Sequence, residues 1–363
     1  MKKYMFLCIC LPVSIALTAQ QKLWVGSYTQ ESPFGIHLLQ FNANDASLKI
    51  VDSVAIPQAS FLTYSKKEIL YAVEENTEGK VHAIRKNADN RFEIFSTQTT
   101  NGKHPCYISL DKTEQWLTVG NYSSGNLTLY KIKDDGSISD PVSTLQHTGK
   151  STNKERQEAA HVHSTVFTPD NKFLLVPDLG IDTVKVYTFN EKTGELLPDY
   201  SKNIPFAQGG GPRHIAFHPN GKWLYILGEL NGMVDVYHYT NPAFQYIESV
   251  SALPNGFQGR FTAADIHVSH DGKHLYATLR DQLNSITLFE IQHNGSIKQK
   301  NIHATGGKTP RNFFISKDDN WLMIENQNSN KIVVFKRDKK SGEIEYYNHL
   351  ENIIQPVCMI HKD

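Results

Sequence analysis

The residues best suited to chemistry lie in segment 209–232, where an arginine and a glutamate fall on two adjacent predicted strands. The segment reads GGGPRHIAFHPNGKWLYILGELNG, and the turn-forming run His-Pro-Asn-Gly-Lys separates two runs rich in β-branched and aromatic residues. A hairpin folded about Asn220 and Gly221 places Arg213 opposite Glu229 at its open end. An anion-binding guanidinium would then lie beside a carboxylate that either acts as a general base or orients the guanidinium.

His161 and His163, in the sequence Ala-His-Val-His-Ser, form a second candidate group. Alternate residues of a strand share one face, so both rings could point to the same side. Such a pair suggests metal ligation, but no third ligand follows at a familiar spacing and the nearby arginines would repel a cation. We therefore predict no metal and no cofactor. Catalysis, substrate binding and structural hydrogen bonding by these histidines all stay open.

A repeat of about fifty residues positions these candidates. Each copy reads strand, turn, strand, polar loop, strand, glycine-containing turn and a fourth short strand; the copies begin near Pro57, Pro105, Val162, Pro212, Ala263 and Pro310. The segment from Pro356 matches a first strand only, and the segments from Leu23, Gly35 and Leu48 match the other three. The sequence thus predicts an all-β, seven-bladed β-propeller with four antiparallel strands per blade, its last blade closed by N- and C-terminal strands.

In this register, the start of strand one and the end of strand two form a rim around one mouth of the central channel. The rim carries Tyr28, Glu75, Asn121, Tyr122, His163, Asp178, Arg213, His214, Glu229, Asp265, Arg280, Arg311 and Asn326. Histidines, arginines and acids in this number predict a pocket for a small anionic or oxygen-rich molecule. We assign substrate-binding roles to His161, His214, Asn121, Tyr122, Asp178, Arg311 and Asn326. For Asp178 the alternative is tying loop backbone together, and for Arg311 it is blade packing.

The N-terminal residues 1–20 have the composition of a secretory signal peptide: a basic start at Lys2 and Lys3, an apolar segment too short to span a membrane, and a small-residue cleavage region. Residues 21–363 would then be a single propeller domain, periplasmic or secreted and without stable membrane insertion. Of the cysteines, Cys106 and Cys358 remain in the mature chain, and we expect both to be small core residues.

Charge excludes some partners. Lysine plus arginine and aspartate plus glutamate each total 37, so nothing favours nucleic acid or an anionic membrane surface. A closed propeller has no obligatory edge to pair, which predicts a monomer.

The polar segment 147–158, HTGKSTNKERQE, is long for a connection between blades and predicts a mobile flap on the His161 side of the rim.

Four blocks make the sequence resemble the seven-bladed propeller lactonases, which include bacterial propeller-type 6-phosphogluconolactonases and fungal carboxymuconate lactonizing enzymes. The blocks are VGNYSSGNL (119–127), QEAAHVHSTVFTPDNKFLLVPDLGIDTVKVY (157–187), GGGPRHIAFHPNGKWLYILGEL (209–230) and GGKTPRNFFIS (306–316). By motif match, the resemblance implies an active site of His161 or His163 with Arg213, Glu229 and Arg280. This chain has Gly228 and Leu279 where the family commonly has asparagine beside the glutamate and the second arginine.

The leading hypothesis is a metal-independent lactonase that hydrolyses a sugar-derived or carboxylated lactone. Arg213 and Arg280 would bind the anionic group and the carbonyl oxygen. Glu229 or one histidine of the pair His161 and His163 would deprotonate the attacking water, and the other group could protonate the leaving alkoxide. One alternative is a muconate-type lactonizing isomerase, as in the fungal relatives. Another is a non-catalytic propeller that binds a ligand outside the cytoplasm.

Overall fold

Seven antiparallel sheets surround a central channel in the computed structural model, which describes residues 20–29 and 32–362. The predicted seven-bladed architecture is confirmed. The predicted signal peptide lies outside the described residues apart from Gln20, which already begins the first strand. Within the described part of the chain, no helix has the length and apolar character needed to cross a membrane.

The blades follow one another along the chain, numbered here from the one that contains the N-terminal strand. Blade 1 consists of Pro356–Lys362, Gln20–Ser27, Ile36–Asn42 and Ser47–Val54. Blade 2 consists of Leu62–Tyr64, Leu70–Glu74, Lys80–Lys86 and Phe92–Thr99. Blade 3 consists of Pro105–Leu110, Trp116–Asn121, Asn126–Ile132 and Ile138–Gln146. Blade 4 consists of Val166–Phe167, Phe173–Asp178, Thr183–Asn190 and Glu195–Pro198, with Ile204–Pro205 added beside the third strand.

The remaining blades repeat the pattern. Blade 5 consists of Pro212–Phe217, Trp223–Gly228, Met233–Thr240 and Ala243–Ser251. Blade 6 consists of Ala263–Val268, His274–Leu279, Ser285–Ile291 and Ile297–Ala304. Blade 7 consists of Pro310–Ile315, Trp321–Asn326, Lys331–Arg337 and Ile344–Glu351. Single-turn 3₁₀ helices occur at Leu179–Ile181, Tyr200–Lys202 and Gln327–Ser329.

The two ends of the chain close the ring in blade 1. The C-terminal strand pairs antiparallel with the N-terminal one, with Leu23 opposite His361 and Val25 opposite Met359. This pairing covers an edge that each strand would otherwise expose.

The apolar core lies between the blades. Each neighbouring pair of blades encloses its own cluster of buried side chains, such as the one between blades 5 and 6 that contains Tyr225 and Phe289. A repeated tyrosine also ties blades together, because a buried hydroxyl needs a partner. The Tyr225 hydroxyl donates to the Gly295 carbonyl oxygen of the next blade, and Tyr276 does the same to Gly342.

A β-bulge opens the innermost strand of several blades, and it determines which side chains face the channel. The pairing register skips Cys106 after Pro105, Arg213 after Pro212 and Arg311 after Pro310. Proline lacks the N–H that a regular ladder would use, and a bulge re-aims the extra residue. The same three-residue pattern thus places a thiol and two guanidinium groups at one mouth of the channel.

Candidate active site

A cavity of about 300 Å³ lies at that mouth of the channel. Its lining is strongly polar. It comes from the inner hairpins of blades 1, 2, 3, 5, 6 and 7 and from the connection between blades 3 and 4, and it consists of Tyr28, Glu75, Cys106, Tyr122, Arg156, His163, Glu229, Arg280 and Arg311. Most of these residues belong to the predicted rim, so the structure brings the sequence-predicted site together.

Glu229 is the centre of the polar network. The Arg213 Nε donates to its Oε2 at 2.8 Å, as the hairpin geometry predicts, and the Arg280 Nη2 lies 3.3 Å from the same oxygen. Arg213 and Glu229 are each only 2 % exposed. A carboxylate at this depth is stable only when paired, and here it lies among several cations.

Arg156 supplies a third guanidinium, which the strand pattern of the sequence does not predict. Its Nη2 donates to the Glu229 Oε1 at 2.5 Å and to the Tyr122 hydroxyl at 3.3 Å. The residue lies in the polar segment 147–158, which covers the His161 side of the rim as predicted. Because Arg156 is 36 % exposed at its side chain, it forms the solvent-facing wall of the cavity.

This segment is anchored at its base. The buried Gln157 Nε2 donates to the Leu179 carbonyl oxygen at 2.9 Å and to the Asp182 Oδ1 at 2.6 Å. The same aspartate accepts from the backbone N–H groups of Gly209 and Gly211, which precede Arg213. Asp182 therefore connects the loop that carries Arg156 to the strand that carries Arg213.

Electrostatics fixes the protonation states of this network. Burial alone would raise the pKa of the Glu229 carboxyl, but the three guanidinium groups, led by that of Arg280, hold this pKa well below its usual value. Burial lowers the pKa of Arg280 to about 10, so the side chain stays cationic at neutral pH. The centre of the site is thus an ionised carboxylate among permanent cations.

His163 lies next to this centre, with its Nε2 3.8 Å from the Glu229 Oε2 and its Nδ1 3.8 Å from the Cys106 Sγ. Burial, and then the charge of Arg213, holds the pKa of His163 well below its usual value. The imidazole is therefore neutral at pH 7. Cys106 is buried, as expected, and it also lines the cavity. Burial raises the pKa of its thiol, which remains protonated. Cys358 does lie in the core between blades 1 and 2, as predicted.

His214 supports the site from behind. Its Nδ1 lies 2.8 Å from the Asp265 Oδ1, and its Nε2 lies 3.0 Å from the Arg213 Nη1. Since the arginine can only donate, the Nε2 accepts and the Nδ1 carries the proton toward Asp265. The Arg213 Nη1 also donates to the Ala264 carbonyl oxygen. His214 is therefore a positioning residue for Arg213 and does not line the cavity.

The opposite wall of the cavity holds a second, separate group. The Tyr28 hydroxyl donates to the Glu75 Oε2 at 2.9 Å, and the Arg311 guanidinium lies 5.3 Å from the centre of the Tyr28 ring. Arg311, for which blade packing was the alternative, lines the cavity. The site therefore contains two carboxylates in very different surroundings.

Arg213 and His214 lie behind the cavity lining, so Arg213 contacts Glu229 instead of the cavity, contrary to its predicted role in binding the anionic group. Four further predicted site residues also lie beside the cavity instead of in its lining. The His161 ring stacks on Tyr122 at 4.5 Å, and its Nε2 lies 3.2 Å from the Glu158 Oε1. Asp178 accepts from the backbone N–H groups of His161 and Gly180, which is the loop-tying role given as its alternative. Asn121 and Asn326 donate to the carbonyl oxygens of Thr100 and Thr305 in the preceding turns.

Within the described ranges, no three histidine, cysteine, aspartate or glutamate side chains are grouped so that they could hold a metal ion. The polar groups of the site are instead aimed at each other and at the cavity. Such an arrangement can bind an anionic or oxygen-rich molecule and stabilise negative charge that develops on it.

The fold and site define a seven-bladed propeller with an arginine-rich pocket at one mouth, and comparison with known proteins gives its family. The family model "Lactonase, 7-bladed beta-propeller" matches residues 22–361. The chain is 34 % identical over 345 residues to a 6-phosphogluconolactonase of Bacillus subtilis, covering 93 % of this chain and 97 % of the relative. It is 33 % identical to a 6-phosphogluconolactonase of Formosa agariphila, covering 89 % and 94 % respectively.

A solved structure gives the same result. The periplasmic gluconolactonase of Pseudomonas aeruginosa superposes with a TM-score of 0.89 at 30 % sequence identity, covering 94 % of this chain and 99 % of that one. The protein belongs to the seven-bladed β-propeller lactonase family.

One departure from the family's motifs has a local explanation. A Cβ atom at Gly228 would lie 2.2 Å from the Asn231 Oδ1 and 2.6 Å from the Phe206 ring. Asn231 and Phe206 thus fill the space that the family's asparagine would need. At the other departure, Leu279 is fully buried in the cluster between blades 5 and 6.

Proposed function

We propose that the protein is a metal-independent lactonase that hydrolyses the ester of a sugar-derived lactone. The observation that carries the proposal is that Arg156, Arg280 and Arg311 line one cavity of about 300 Å³ in which Glu229 is already paired. The three guanidinium groups together exceed the charge of Glu229, so positive charge remains in the cavity to bind an oxyanion. The relatives named for gluconolactone and 6-phosphogluconolactone support a sugar-acid lactone as the substrate class.

Arg280 is the best placed group to stabilise the carbonyl oxygen as it becomes negative. Its Nη2 donates to the Ala263 carbonyl oxygen at 3.0 Å, and its other nitrogens have no hydrogen-bond partner among the described residues. Donors held in a water-poor site before reaction cost little reorganisation, and one such donor contributes roughly 10²–10³ in kcat. Arg156 and Arg311 then remain to bind the polar or anionic substituents of the ring.

The test is hydrolysis by the mature protein of glucono-δ-lactone, its 6-phosphate and a carboxylated muconolactone, followed as acid release in weak buffer with chelator present. We expect turnover above the uncatalysed rate, and a loss of about 100-fold or more in kcat/KM for Arg280→Ala. The exposed Arg91 provides the matched control, Arg91→Ala, which should have wild-type rates. A folded protein that binds a lactone without turning it over would instead be a binding propeller.

We also propose that the protein acts as a monomer outside the cytoplasm. The N-terminal composition and the periplasmic relative support this location. An enzyme outside the cytoplasm would favour an unphosphorylated lactone, because phosphorylated sugars are cytoplasmic metabolites. The ratio of kcat/KM for glucono-δ-lactone and its 6-phosphate tests that preference, and alkaline phosphatase fused to residues 1–20 tests export.

A further inference from the structure

Hydrolysis of a lactone needs a group that removes a proton from the attacking water, and the site offers Glu229, His163 and Glu75. All three line the cavity. The contacts of each side chain decide which of them has free capacity to accept a proton.

Glu229 has none. Its Oε1 accepts from Arg156 at 2.5 Å, and its Oε2 accepts from Arg213 at 2.8 Å with Arg280 at 3.3 Å. Protonating this carboxylate would leave three guanidinium groups facing a neutral acid at 2 % exposure. Glu229 thus serves to hold the arginines in place.

His163 is also poorly suited. A proton on its Nε2 would add a positive charge to a buried ring close to Arg213, and burial together with that charge already keeps the pKa of His163 far below neutrality. Its 5 % exposure leaves little access to bulk water. As a neutral ring it can still orient the substrate by a hydrogen bond.

Glu75 differs from both. It follows the second strand of blade 2, and its backbone N–H donates to the Gln58 carbonyl oxygen at 2.9 Å, which fixes the chain at the cavity wall. Its Oε2 accepts one hydrogen bond, from Tyr28, and among the described residues its Oε1 has no partner. Glu75 is half-buried, so a water molecule can reach the free oxygen.

We propose that Glu75 is the catalytic residue that activates water, held in position by Tyr28 and Arg311; the proposal rests on the lactonase function proposed above. The Tyr28 hydroxyl orients the carboxylate, and the Arg311 guanidinium, 5.3 Å from the centre of the Tyr28 ring, keeps positive charge beside the pair. A neutral donor and a more distant cation leave a lone pair of the Oε1 available, in contrast to the arrangement at Glu229.

A single residue, Glu75, both takes up and returns the proton that the reaction moves. As the water oxygen bonds to the carbonyl carbon, Glu75 takes one water proton and the carbonyl oxygen becomes an oxyanion beside the arginines. The tetrahedral intermediate then breaks the bond between the carbonyl carbon and the ring oxygen, and Glu75 returns its proton to that oxygen. The product is an open-chain hydroxy acid, which loses its own proton to solvent.

The test compares Glu75→Gln with Glu78→Gln, an exposed residue of the same loop, on the lactone preferred by the wild-type protein. We expect Glu75→Gln to lower kcat by about 100-fold or more with KM changed little, because general base catalysis contributes 10²–10⁴-fold. Glu78→Gln should behave as wild type. Formate should restore part of kcat to Glu75→Ala, a rescue that a purely structural role would not give.

The outcomes separate the two proposals. A wild-type protein inactive on every lactone overturns the proposed function itself. An active wild type with Glu75→Gln above a tenth of its kcat, or Glu75→Ala not rescued by formate, overturns the role of Glu75 and leaves the lactonase intact. Circular dichroism and the unfolding midpoint of each variant show whether a loss arises from misfolding.

Discussion

The Arg156 Nη2 lies 2.5 Å from the Glu229 Oε1, so a residue from the loop before blade 4 completes an ion network built by blades 5 and 6. The loop residue is partly exposed, whereas its partner is buried. Arg156 can therefore turn toward a substrate without leaving Glu229 unpaired, because Arg213 and Arg280 remain in contact.

Arg156→Ala should lower kcat/KM about 10- to 100-fold on an anionic lactone, since one charge-assisted hydrogen bond contributes roughly 1.5–3 kcal/mol. The loss should be smaller on a neutral lactone and should shrink at high salt, because a partly exposed cation is screened. Lys154→Ala, at an exposed position of the same loop, provides the control. Equal losses on charged and neutral substrates would contradict an anion-binding role.

Repetition is what made the fold predictable. Six copies of one strand pattern and a split seventh specify the blades, and hairpin geometry alone brought Arg213 to Glu229. The bulge after each proline was not predicted, although Pro-Cys-Tyr, Pro-Arg-His and Pro-Arg-Asn mark it in the sequence. Local patterns of this kind can be read because they depend on nearest neighbours along the chain.

Physical reasons explain why some predicted residues lie outside the cavity lining and why Arg156 was not predicted. The second strands of blades 3, 4 and 7 end at Asn121, Asp178 and Asn326. In blades 5 and 6, by contrast, the cavity is lined by the residue directly after the second strand, which is Glu229 in one blade and Arg280 in the other. Side chains alternate along a strand, so a shift of one residue turns a side chain away from the channel. Arg156 could not be placed because strand register does not fix the path of an irregular loop.

Glu229→Gln should destabilise the protein by about 3 kcal/mol, because it leaves two buried guanidinium groups without their counter-charge. Urea unfolding at pH 7.5 measures this loss. Glu75→Gln, at a half-buried position with one neutral donor, should stay within about 1 kcal/mol of wild type. If the two variants unfolded at the same urea concentration, the structural role of Glu229 would be refuted.

Gln157→Ala should release the loop that carries Arg156 and lower kcat/KM while leaving the rest of the propeller folded. The side-chain amide bonds two groups of blade 4, and its removal exposes buried partners at a cost of about 1–3 kcal/mol. Faster hydrogen exchange confined to residues 151–157 would report the release. Because Gln157 acts through Arg156, adding Gln157→Ala to Arg156→Ala should lower kcat/KM no further.

Stability should fall as the pH drops from about 6.5 to 4.5, and His214 should account for part of the slope. Burial, and then Arg213, lowers the pKa of His214 to about 4 in the folded protein, whereas an unfolded histidine titrates near 6.5. In this window the unfolded chain binds a proton that the folded protein excludes, which costs up to about 1.4 kcal/mol per pH unit. The contribution is complete above pH 6.5 and is lost on acidification.

The pKa of the neighbouring His267 shifts in the opposite direction, so this residue does not obscure the measurement. Burial lowers its pKa, but Asp265 outweighs burial and raises it above the usual value, so its stabilisation is lost only as the pH rises above about 6.5. Between pH 6.5 and 4.5, His214→Gln should therefore show a shallower dependence of unfolding free energy on pH than wild type. The exposed His293 gives the matched control, His293→Gln, whose slope should be unchanged. Parallel curves for His214→Gln and wild type would mean that the buried ring is protonated in the folded protein, contrary to its role as the acceptor for Arg213.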